Sequence, residues 1–259
     1  YSTRASYSNY ASDQEQFNRY NVNPEIVGTI KYDVKRYPTT TDNISWDNIL
    51  NYTAKWGDHD FSVMVGQTLE TSTMKRTWAQ GTGYGGYDDE FNALNFAQFS
   101  QSTSGYTTSW TALGLLGRIS YDYKDRYLLQ ANFRADASSR FSKKNRWGYF
   151  PSVSAGWKIN SESFMQNVDW ISLLKLRAGW GQLGNNRIGN NAYATYVGQQ
   201  SATYIYGVGM PTIQPGMSIS SYGNSDILWE RTQSTSVGLD FNVLDNRIST
   251  SVDYFIKDT

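Results

Sequence analysis

The tightest constraint on this chain is an alternation of apolar and polar residues between Leu113 and Leu183. In its first run Leu113, Leu115, Ile119, Tyr121 and Tyr123 share one parity, and Gly114, Arg118, Ser120 and Asp122 the other. After a turn at Lys124, Asp125 and Arg126, Tyr127, Leu129, Ala131, Phe133 and Ala135 oppose Gln130, Asn132, Arg134 and Asp136. A third run sets Trp147, Tyr149, Pro151, Val153, Ala155, Trp157 and Ile159 against Gly148, Ser152, Ser154, Gly156 and Lys158. Period two is the signature of strands, and segregation this clean calls for a sheet whose faces meet different surroundings.

Strand length and aromatic placement decide what those surroundings are. The stretch from Arg126 to Asp136 spans roughly 36 Å at about 3.3 Å per residue, or about 28 Å of height when tilted by about 40°. That height matches the core of a bilayer. Tyr121, Tyr123 and Tyr127 flank one short turn and Trp157 falls at the same level, whereas Trp147 and Tyr149 fall at the opposite end. Two levels of Tyr and Trp with aliphatics between them are what membrane interfaces select.

Composition removes several function classes. With 23 basic and 23 acidic side chains there is no electrostatic footprint for nucleic acid. Without Cys there is no disulfide framework, thiolate nucleophile or Cys-based metal site. No run is long and apolar enough for a transmembrane helix, but in a barrel only every second residue is apolar and the average hides the stripe. The chain opens on Tyr1 without a Met or a signal peptide, so any secretory signal is expected upstream.

The pattern recurs along the chain. Ile30, Tyr32 and Val34 alternate with polar neighbours; so do Trp46 to Trp56, Phe61 to Leu69, Leu174 to Trp180, Val237 to Val243 and Ile248 to Ile256. Residues 11–25 are expected to connect, residues 38–43 to break the pattern, and residues 75–108 and 184–226 to form long loops. A short helical turn is expected near Glu162. This gives about ten strands in an all-β, antiparallel transmembrane barrel. Turns at 57–59, 124–126 and 244–246 are short, while connections at 75–108, 137–146 and 184–226 are long. Outer-membrane barrels show that asymmetry, with short turns toward the periplasm.

The runs LLGRISYDYKDRYLLQANFRADASSRFSKKNRWGYFPSVSAGWKINSESFM, LKLRAGWGQLGNN and WERTQSTSVGLDFNVLDNRISTSVDYFIKDT carry a resemblance. The most specific part joins Asp136, Ser138, Ser139, Arg140 and Phe141 to the segment Asn145 to Pro151. In these the chain resembles SusC/RagA-type TonB-linked outer-membrane proteins of Bacteroidetes. The likeness is strongest over residues 109–185 and 226–259, and Leu183 stands where that family usually has Thr. The resemblance implies a barrel of about 22 strands around an N-terminal plug. It also implies import of oligosaccharides or peptides across the Gram-negative outer membrane, driven by TonB, with a SusD-like lipoprotein over the mouth. On this reading residues 1–259 all belong to the barrel domain, and the plug and closing strands lie elsewhere. No cofactor and no enzymatic activity are expected.

Candidate sites follow from face and loop. Arg118, Asp122, Arg134, Asp136, Lys158, Lys175 and Arg177 are expected to face the lumen, where cross-linking of the wall is preferred over contact with plug or substrate. The loop aromatics Tyr84, Tyr87, Phe91, Phe96, Tyr106, Tyr193, Tyr196, Tyr204 and Tyr206 are candidates for stacking on sugar rings. Three further features have bland readings. Gly81 to Gly86 fits G-x-G-x-x-G without the strand and helix a dinucleotide site needs. His59, alone of its kind, reads as a solvated turn residue. Asp88, Asp89 and Glu90 lack the spacing of a calcium loop and read as a solvated acidic patch. The rival function is a secreted all-β module that binds or cleaves glycans, cleavage being the work of paired carboxylates.

Overall fold

The computed structural model describes residues 1–21, 30–82, 101–206 and 212–259. Its strands are β1 (Ser2–Asn21), β2 (Ile30–Trp56), β3 (His59–Thr82), β4 (Gln101–Tyr123), β5 (Tyr127–Ser138), β6 (Trp147–Lys158), β7 (Ile171–Asn185), β8 (Tyr196–Tyr206), β9 (Thr212–Ser221), β10 (Glu230–Val243) and β11 (Ile248–Asp258). Nine of them form one sheet in the order β1-β2-β3-β4-β5-β6-β7-β10-β11, and β8 pairs with β9 in a separate hairpin. The chain divides into two compact units, one of Tyr1–Arg4, Trp46–Leu69 and Thr111–Thr259, the other of Ala5–Ser45 and Glu70–Trp110.

In the first unit, cross-strand register turns the sequence alternation into rows. Tyr121 pairs with Leu129, Leu129 with Ala155, Ala155 with Ala178, Ala178 with Val237 and Val237 with Tyr254, giving an apolar row across six antiparallel strands. Three residues up each strand the row is polar: Arg118, Asn132, Ser152, Gly181, Ser234 and Lys257. Among the described residues no layer covers the apolar face; Leu129 is 52% and Val153 51% exposed. A water-soluble sheet would bury such a face against a second layer. In hydrocarbon the ladder hydrogen bonds satisfy the backbone and the same face needs no cover.

The short turns are sharp. Gly57, Lys124 and Asp125 take the left-handed backbone region, with φ of 57°, 54° and 50°, as tight hairpin turns require. Between β6 and β7 two single 3-10 turns, Ile159–Ser161 and Ser163–Met165, replace the one helical turn expected there. At the other end of the strands sits a small apolar core of Phe141, Phe150 and Trp229, joined by Ile188 and Ile227.

The second unit departs from the sequence expectation. Residues 11–21 continue β1, β2 runs unbroken through Pro38, and residues 75–82 and 101–108 are strand, not loop. The reason is that both parities here are polar or aromatic, so the hydrophobic period vanishes although the ladder persists. Cross-strand polar contacts take over: Tyr7 donates to Asp42 at 2.8 Å, Ser6 meets Ser45 at 2.7 Å, and Arg36 pairs with Glu15 at 3.2 Å. Arg76 lies 5.0 Å from the centre of the Tyr37 ring, and Val34 is fully buried. At 27, 24 and 23 residues, β2, β3 and β4 are longer than the 9–11 or so that cross a bilayer. The expected loop at 184–226 likewise contains the β8–β9 hairpin.

Candidate functional site

The polar face of the first unit is braced by ion pairs and hydrogen bonds within and between strands. Within β5, Arg134 meets Asp136 at 2.7 Å. Arg177 on β7 reaches Asp240 on β10 at 2.8 Å and Asp253 on β11 at 3.1 Å, tying three strands. Its NH2 group makes an aligned 2.9 Å bond to Asp240 Oδ1. Gly238 leaves room for this cluster: a Cβ there would displace the ends of the Asp253 and Arg177 side chains, whose Oδ1 and Nη2 lie over it. Lys158 pairs with Asp125, and Lys175 stands opposite Asp240 in register. Asp122 has one carboxylate oxygen buried without a partner among the described residues.

Arg118 differs from these cations. Its Nε donates to the neutral Asn132 Oδ1 at 2.7 Å, and Asn132 Nδ2 donates onward to Ser152 Oγ at 3.0 Å. Beside it opens a pocket of about 450 Å³, lined by Met64, Leu116, Arg118, Asn132, Arg134, Phe150, Ser152 and Ser234 among others. Met64, Leu116 and Phe150 were not foreseen here, since apolar residues were assigned to the opposite face. The signal was available in parity: each stands an even number of residues from a polar-face neighbour, Ser62, Arg118 and Ser152 respectively.

Above the pocket, three connections are knotted together. Trp229 stacks on Phe141 with centroids 4.9 Å apart and meets Phe150 edge-on at 5.4 Å. Its Nε1 donates to the Arg146 carbonyl at 3.1 Å. Ser142 Oγ donates to the Ser225 carbonyl at 2.8 Å, Asn145 to that of Ile227 at 3.2 Å, and Arg140 to Asn190 Oδ1 at 3.0 Å. Lys144 pairs with Asp226 and holds its carboxyl below the usual range. The segment most specific to the family resemblance is therefore structural: it fastens the β5–β6, β7–β8 and β9–β10 connections.

At the opposite end aromatic rings form a girdle. Tyr127 lies 6.3 Å from Tyr123 and 6.4 Å from Trp157, and Phe61 lies 4.7 Å from Tyr121. His59 belongs to it, 4.8 Å from the Tyr123 ring and with Nδ1 2.8 Å from the Tyr121 hydroxyl, so it is more than a solvated turn residue. Glu162 fastens the girdle: Oε1 accepts from the Tyr127 hydroxyl at 2.7 Å and Trp157 Nε1 at 3.0 Å, and Oε2 faces Arg126 at 3.3 Å. Those two donors, with the Arg126 guanidinium, hold the Glu162 carboxyl below the ordinary carboxylate range.

The aromatic candidates are placed unevenly. Tyr196 opens β8 and is exposed, Tyr193 lies three residues before it, and Tyr204 and Tyr206 fall at the far end of β8. Tyr106 is an exposed residue of β4 in the other unit. Tyr84, Tyr87, Phe91 and Phe96 lie outside the described residues, as do the acidic run 88–90 and most of the glycine-rich run.

Comparison with known proteins agrees with this geometry. A family model described as TonB dependent receptor-like, beta-barrel, matches residues 1–259. The chain is 36% identical over 220 residues to TonB-dependent receptor SusC of Bacteroides thetaiotaomicron, covering 84% of this chain and 21% of that protein. It is 33% identical over 221 residues to TonB-dependent receptor P39 of Formosa agariphila, covering 82% and 20%. Among solved structures, the RagAB peptide transporter superposes with a TM-score of 0.76 at 22% identity, over 98% of this chain and 28% of that one. At that identity the superposition speaks for the fold. The chain thus spans about a fifth of the length of these curated relatives. With its two-faced rows, girdle and full-length family match, the chain belongs to the TonB-dependent receptor β-barrel family and forms a partial barrel.

Proposed function

We propose that residues 1–259 are part of one barrel domain of an outer-membrane importer, which passes oligosaccharides or peptides inward using TonB and is closed from outside by a SusD-like lipoprotein. The observation that carries this is the pair of rows across β4 to β11, one apolar and uncovered, the other polar and braced. A wall with hydrocarbon on one side and water on the other serves passage rather than covalent chemistry. The family resemblance implies both substrate classes, and one structural neighbour is named a peptide transporter.

In this reading Arg177 cross-links strands of the wall, Lys158 ties β6 to the β4–β5 turn, and Arg134 and Asp136 neutralise each other within β5. Lys175 and Asp122 complete the charged lumen surface. Tyr193, Tyr196, Tyr204 and Tyr206, with Tyr106, Tyr84, Tyr87 and Phe91, supply stacking faces for substrate entering from outside. The test uses the full-length receptor in a Gram-negative host, fed labelled oligosaccharide and peptide pools with and without TonB. Uptake that requires TonB, and that falls when the β8–β9 hairpin (residues 196–221) is replaced by a short linker, is the expected result. Uptake indifferent to TonB would overturn the importer reading.

A further inference from the structure

Among the strand-borne cations on the polar face of the first unit several stand by carboxylates, whereas Arg118 and the exposed Lys257 have no ion pair among the described residues, and of these two it is Arg118 that lines a pocket. Arg134 has Asp136, Arg177 has Asp240 and Asp253, Lys158 has Asp125, and Lys175 faces Asp240 across the ladder. Arg118 has no carboxylate within 4.0 Å among the described residues, and its one hydrogen-bond partner there is neutral. A guanidinium carries five donors in a fixed fork, and Asn132 uses one of them.

The surroundings prepare that fork for a ligand. The bond from Nε to Asn132 fixes one edge of the guanidinium, and Asn132 is itself fixed by Ser152. The pocket of about 450 Å³ beside it places Phe150, Leu116 and Met64 as apolar walls. The other guanidinium lining it, that of Arg134, is already neutralised by Asp136. The site is therefore a mostly apolar recess with one unspent positive charge, the form a small-ligand pocket takes.

We propose that Arg118 is an anion-recognition point of this wall, taking a carboxylate group in bidentate contact with Asn132 and Ser152 bracing it from behind. The proposal rests on the importer reading and adds a substrate class to it: acidic oligosaccharides or acidic peptides. The same carboxylate chemistry has a second source, a side chain of another segment of the receptor entering the lumen, and the experiment separates the two.

The full-length receptor is compared with its Arg118→Gln, Arg118→Lys and Ser249→Ala variants, using trigalacturonate and triglutamate as acidic probes and their neutral methyl esters as controls. Affinity and the ligand-free thermal midpoint are both measured. If the carboxylate comes from substrate, Arg118→Gln weakens an acidic probe about tenfold or more, leaves its ester unchanged and does not move the midpoint. Arg118→Lys, which keeps the charge and loses the fork, falls between, and Ser249→Ala, at an exposed β11 position outside the pocket, behaves as the parent. If the carboxylate comes from the receptor, the ligand-free midpoint drops in Arg118→Gln and acid-over-ester discrimination is absent throughout. An Arg118→Gln receptor with unaltered discrimination and unaltered midpoint overturns the proposal. TonB-dependent uptake by the parent, measured alongside, shows whether the importer reading survives that failure.

Discussion

At the scale of single residues, the most consequential side chain is Phe150. It sits on the polar parity of β6 between Gly148 and Ser152, where an aromatic ring should be out of place. It is accommodated because its neighbours leave room: a Cβ at Gly148 or at Gly184 would collide with the edge of the ring. The ring is 7% exposed and packs on Trp229, so it is the lower half of the clasp that holds three connections. Truncating Phe150→Ala removes a buried ring and leaves a cavity, at a cost of about 3 kcal/mol. The cost falls on the connections rather than on the ladder. Amide hydrogen exchange in the full-length receptor should therefore rise about 100-fold at residues 139–146, 186–195 and 222–229 while β5 and β7 stay protected. Uniform acceleration over the strands as well would show that the clasp supports the sheet.

At the scale of elements, the two parities of one strand make opposite demands. Leu129 belongs to the uncovered apolar row and Gln130, its neighbour, to the polar face, where it hydrogen-bonds Ser120 and Asn132. Leu129→Arg in the complete barrel is expected to cost roughly 2 to 4 kcal/mol, and Gln130→Arg little. Folding into lipid vesicles under a denaturant series measures both, and equal tolerance would contradict the placement of lipid on the Leu129 side. The same parity explains what the sequence made legible. Strands β5, β6, β7, β10 and β11 could be read because each changes solvent at every residue, and the three short turns because their residues interrupt that rhythm. The long ends of β1 to β4 could not, since Ser6, Tyr7, Asn9, Asp42 and Ser45 make strand from polar cross-strand contacts that leave no hydrophobic period. The pocket was half legible. Arg118 and Asn132 announced themselves by parity, but Met64, Leu116 and Phe150 contradict the rule that apolar means outward, and only the register brings them together. Glu162 was placed in a polar connection without its role, because the donors that fix it, Tyr127 and Trp157, come from two other strand ends.

At the scale of the whole chain, the sheet order leaves β1 and β11 each with one neighbour. Every residue of β11 is exposed, including Val252 at 63%, Tyr254 at 70% and Phe255 at 65%. Such an edge offers unpaired backbone groups to any other strand, and here it is continuous with the uncovered apolar row. Two forces then favour association in water, ladder extension at the edge and burial of the face. Detergent relieves the second and leaves the first. Residues 1–259 expressed alone are accordingly expected to elute as large aggregates from aqueous gel filtration. In detergent they should give smaller species still joined edge to edge. Cysteines placed at Ser249 and Ser251 would report that pairing by forming cross-links between copies in detergent. A monomeric, detergent-free chain would mean that some arrangement of the strands covers Leu129, Val153 and Val237 from water, and would return the secreted all-β module to consideration.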